Sequence, residues 1–163
     1  SQLADVRIKL LGNCGQISGV ATIDVARRYG VESAVEVIGR VPHAEAIRMM
    51  RRSHLLLVLA PPNHELVLPA KVFDYLGTGS KLLALAGEGA TADLLRDTRA
   101  GRCFSPSDVP GLKTYLRELL EGGRYRDLRN DPGLFARFDA RTVTGQLVAQ
   151  LSGSVVNDAG APL

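Results

Sequence analysis

Residues 55–85 read LLLVLAPPNHELVLPAKVFDYLGTGSKLLAL. The run Leu55–Leu59 is wholly apolar and stops at Pro61-Pro62. Its unbroken apolarity predicts a strand covered on both faces, as in parallel sheets. Pro69 suits the first helical position, where its missing N–H is no loss. The helix is expected to run to about Thr78, with Gly79 as its C-terminal glycine. Leu82–Leu85 then reads as the next strand, so the stretch is one βαβ unit.

The same alternation extends both ways. Upstream, Val6–Leu11 reads as a strand, Val20, Ile23, Val25, Ala26 and Tyr29 recur at helical spacing, and Val35–Ile38 is a second strand. The turn Gly39-Arg40-Val41-Pro42 leads into a helix over His43–Arg52. Downstream come a helix over Thr91–Arg96, a short strand at Arg102–Phe104 and helices over Leu112–Leu120 and Leu134–Leu151. From Gly153 onward the chain reads as a weakly structured tail. Alternation at this spacing predicts α/β: a Rossmann-like, doubly wound, mostly parallel sheet with helices on both faces. The expected division is one domain over 1–152 and a tail over 153–163.

Composition narrows the function. The chain has 163 residues, 45% of them hydrophobic and 23% charged, which fits one folded domain and excludes a disordered one. Twenty Lys and Arg against 17 Asp and Glu give a net charge of +3. Lysine occurs only at positions 9, 71, 81 and 113, and the basic residues form no stripe that could track a nucleic-acid backbone. An anionic small molecule suits this balance better than a nucleic acid. Cys14 and Cys103 lack disulfide-scaffold or metal-ligand spacing and read as reduced intracellular thiols. No apolar run approaches the ~18 residues of a membrane span, and no signal peptide opens the sequence. A cytoplasmic protein is expected, with a peripheral membrane contact left open.

In doubly wound sheets ligands bind beyond the carboxyl ends of the strands. The helix start near Pro69 offers free N–H groups and the positive end of a dipole to an anion. Lys71 adds a charge in the first turn. Asp74, three residues on, is an acceptor suited to a sugar diol. The competing reading is a solvated Lys71–Asp74 pair contributing about 0.2–0.5 kcal/mol. Gly12-Asn13-Cys14-Gly15 is no complete GxGxxG and reads as a tight strand-to-helix turn. His43, His54 and His64 form no metal constellation. His54 reads as structural, and Asn63 and His64, in the loop after the third strand, are the better functional candidates.

Residues 69–85, PAKVFDYLGTGSKLLAL, resemble the "P-x-K-aliphatic-aromatic-(Glu/Asp)-Tyr-Leu" signature of retaining, nucleotide-sugar-dependent GT-B glycosyltransferases of the family-four type. VIGRVPH at 37–43, SHLLLVL at 53–59 and AGRCFSPSD at 100–108 resemble further segments of that family in the same order. The resemblance runs from about Val6 to Leu151 and implies the carboxy-terminal, donor-binding half of such an enzyme. It implies Ala70 and Lys71 at the donor diphosphate, Asp74 at the ribose, and Arg40 and Val41 at the base. It implies no metal and no cofactor, the nucleoside-diphosphate sugar being the donor substrate.

The pattern departs in places. Relatives carry an acid eight positions before the ribose-binding one, where this chain has Leu66; Glu65, one residue off, is the expected catalytic stand-in. Ser80-Lys81 replaces a residue-plus-proline pair, a minor change. Nothing before Val6 resembles the family's opening strand, which would be central in the sheet, and an amino-terminal acceptor domain is the expected missing partner. The alternative from another class is a non-catalytic nucleotide-binding or regulatory α/β module. A receiver would want acids where Gly12-Asn13-Cys14 stand, and a sugar-nucleotide epimerase half would want a catalytic acid set and histidine that cannot be placed.

Overall fold

The computed structural model describes residues 6–60, 66, 68–121 and 123–158. In chain order the elements are β1 (Ile8–Leu11), β2 (Gln16–Ile17), β3 (Val20–Ala21), α1 (Thr22–Arg28), β4 (Val35–Ile38), α2 (His43–Arg52) and β5 (Leu55–Leu59). There follow α3 (Lys71–Gly77), β6 (Lys81–Leu85), α4 (Ala90–Thr98), β7 (Gly101–Phe104), α5 (Val109–Glu121), two 3-10 segments (Arg124–Asp127 and Pro132–Phe138) and α6 (Ala140–Asp158).

The Rossmann-like α/β plan is present, but its parallel strands form two sheets. β1 pairs with β4, Ile8 opposite Val35 through Leu11 opposite Ile38. β5, β6 and β7 form the other sheet in that order. Leu56 lies beside Leu82, and Leu82 in turn beside Gly101. The resemblance leads one to expect a gap at a central strand position, since nothing before Val6 matches the family's opening strand. Neither β1 nor β5 has a strand on its other edge among the described residues, so the ladder is interrupted between the halves.

The core belongs to the three-stranded half. Val58, Leu82 and Ala84 pack against Val72 and Leu76 of α3 and Leu94 and Leu95 of α4. The αβ repeat places apolar residues at helical spacing on each helix and at alternate strand positions, so one face of the sheet closes on both helices. Phe135 joins this cluster, and Phe138 stands 5.8 Å from Phe73 between ring centroids, which fixes the 3-10 segment against α3.

Several boundaries differ from the sequence reading. A small antiparallel hairpin, β2–β3, precedes α1, turning on Ser18 (φ 51°) and Gly19 (φ 80°). Two successive positive φ values are what a two-residue hairpin turn needs. Gly12–Gly15 therefore leads into this hairpin rather than directly into a helix. The single helix expected over Leu134–Leu151 is a 3-10 segment, a break at Asp139 and then α6, whose start is capped by Arg141 N–H donating to Asp139 Oδ1 at 2.9 Å. α6 continues to Asp158, across the boundary expected at 152.

Candidate functional site

The segments singled out by sequence lie at the carboxyl ends of the strands. After β1, the Gly12 N–H donates to Ile38 O at 3.0 Å, joining this turn to the end of β4 and hence to Gly39-Arg40. Cys14 N–H donates to Gly12 O at 2.8 Å, and the Thr22 hydroxyl at the start of α1 donates to Cys14 O. Thr22 N–H donates to Gly15 O at 3.0 Å, so α1 holds the Gly12–Gly15 turn at two points.

The second segment is the start of α3. Pro69 O accepts from Val72 N–H at 2.9 Å and Ala70 O from Phe73 N–H at 3.2 Å, so the first turn draws in both residues ahead of Lys71. Ala70 has helical backbone angles (φ −53°, ψ −33°) and no side-chain cap. Val72 and Leu76 are buried, which turns Lys71, Phe73 and Asp74 outward. Lys71 and Asp74 form no ion pair with each other among the described residues, and both are exposed, so the pairing is absent while the charges remain solvated. The exposed i,i+3 pairs that do form, Arg27–Asp24, Arg48–Glu45 and Arg96–Asp93, all have the acid on the amino side of the base, and Lys71–Asp74 is the reverse.

Tyr75 follows Asp74 on α3. Its half-buried phenol has a pKa above the ordinary value, chiefly from burial, then from Asp74 and the Cys14 thiol. Arg40 is exposed and Val41 half-buried on the turn after β4, and no hydrogen bond or ion pair among the described residues joins either to Lys71 or Asp74. Asn63, His64 and Glu65 lie outside the described residues. His54 packs edge-on to Tyr125 with ring centroids 5.1 Å apart, in keeping with a structural role. Among the described residues no group of three or more His, Cys, Asp or Glu could hold a metal ion, and no helix is long and apolar enough to cross a membrane.

Ser80, read from sequence as part of a minor departure, is a structural hub behind the site. Gly79 (φ 75°) ends α3 with its N–H on Leu76 O, and Ser80 follows fully buried. The Ser80 hydroxyl donates to Met50 O at 3.0 Å and accepts from Arg129 Nη1 at 3.0 Å. Asn130 Nδ2 donates to Ser80 O at 2.7 Å, and Asn130 N–H to Gly79 O at 2.9 Å. These bonds pin the end of α3 to α2 and to a segment some 50 residues later in the chain. No local signal marked Arg129 or Asn130, because their partners are distant in sequence.

No protein-family model matches this chain, and no curated protein matches it. Among solved structures it is similar to the sucrose-phosphate synthase of Thermosynechococcus elongatus, with a TM-score of 0.56 and 16% identity. The match covers 91% of this chain and 39% of that one, so this chain spans well under half the length of that protein. At this identity the likeness concerns the fold: a Rossmann-like α/β arrangement of the kind that forms one half of a GT-B protein.

Proposed function

We propose that this chain is the nucleotide-sugar donor-binding half of a retaining glycosyltransferase. The observation that carries the reading is the outward-facing, unpaired Lys71 and Asp74, one turn apart at the strand-end rim of a fold shared with a sucrose-phosphate synthase. In this reading the amides at Ala70 and Lys71, with the Lys71 ammonium, hold the donor diphosphate, and Asp74 accepts from the ribose hydroxyls. Arg40 and Val41 meet the base through backbone atoms, and Glu65 faces the transferred sugar.

The chemistry assigned to these groups is electrostatic. As the glycosidic bond to the nucleotide breaks, charge grows on the leaving diphosphate, and fixed donors stabilise it without reorganising. No metal or other cofactor is needed at that point. The acceptor, on a glycan, lipid or small molecule, is held by a second domain across the cleft, so this half alone binds donor without turning it over. The full-length enzyme works in the cytoplasm, where any membrane contact is peripheral.

Calorimetric titration with uridine and guanosine diphosphates tests the reading. One of them binds saturably, and Asp74→Ala weakens binding by about 1.5–3 kcal/mol, the range for a hydrogen bond to a charged group. Unchanged affinity in that variant removes Asp74 from the site. Lys71→Ala weakens diphosphates more than nucleosides, and equal losses for both reduce Lys71 to a supporting role.

A further inference from the structure

We draw no further inference here: the strongest candidate, the open cavity of about 350 Å³ between α3 and the 3-10 segment that leads into α6, walled by Phe73, Leu76, Phe135 and Phe138, is an unpartnered apolar face, and nothing in the structure shows what covers it.

Discussion

The two sheets share one construction rule and differ in how completely they are buried. In the half built on β5, β6 and β7, Val72, Leu82, Ala84 and Ala100 have no exposed surface. In the half built on β1 and β4, none of the strand residues is fully buried, and Ile8 and Val37 stand 44% and 37% exposed. The strand residues themselves are similarly apolar. The difference comes from neighbours: β6 has a strand on each edge and helices packed on it, while β1 has β4 on one edge only. Burial in an α/β layer is therefore a property of position in the sheet more than of the strand's own sequence.

That contrast can be broken by truncation. Leu82→Ala, in the centre of the sealed half, is expected to cost about 2–5 kcal/mol of stability by urea denaturation, while Ile8→Ala costs well under half as much. Equal losses at the two positions would mean that the halves are equally packed in solution. Asn130→Ala comes next. It removes the donor to Ser80 O from a buried site and is expected to cost about 1–3 kcal/mol. A loss below ~0.5 kcal/mol, within the range of ordinary surface substitutions, would show that the Ser80 hub contributes little.

The smallest effect sharpens the other side. Lys9 and Glu36 sit opposite each other across β1 and β4, 3.6 Å apart and about half exposed. A double-mutant cycle on them is expected to give about 0–1 kcal/mol, shrinking as salt is raised. A larger, salt-insensitive coupling would mean that this edge is covered in solution.

The candidate site was legible in sequence where it depends on local rules. Pro69 and Gly79 bracket α3 because one lacks an N–H and the other tolerates positive φ. The spacing of Val72 and Leu76 sets which side of the helix is buried, and so that Lys71 and Asp74 face outward. What could not be read locally was the state of those two charges. Their order along the helix leaves them unpaired, although simple i,i+3 counting allows a pair. Ser80 was underrated for a similar reason: its partners, Met50, Arg129 and Asn130, lie 30 to 50 positions away.

The element order, the βαβ rhythm and the limits of α3 follow from sequence alone, because hydrophobic periodicity and the backbone limits of proline and glycine act over a few residues. Where the sheet is interrupted, the exposure of Leu57 and Leu59, the closure of Ser80 by Asn130 and the break at Asp139 were decided only by tertiary structure, although a missing central strand was legible in the sequence. Strand pairing and burial depend on which distant segments meet, and a run such as Leu55–Leu59 reads the same whether its second face is covered or bare.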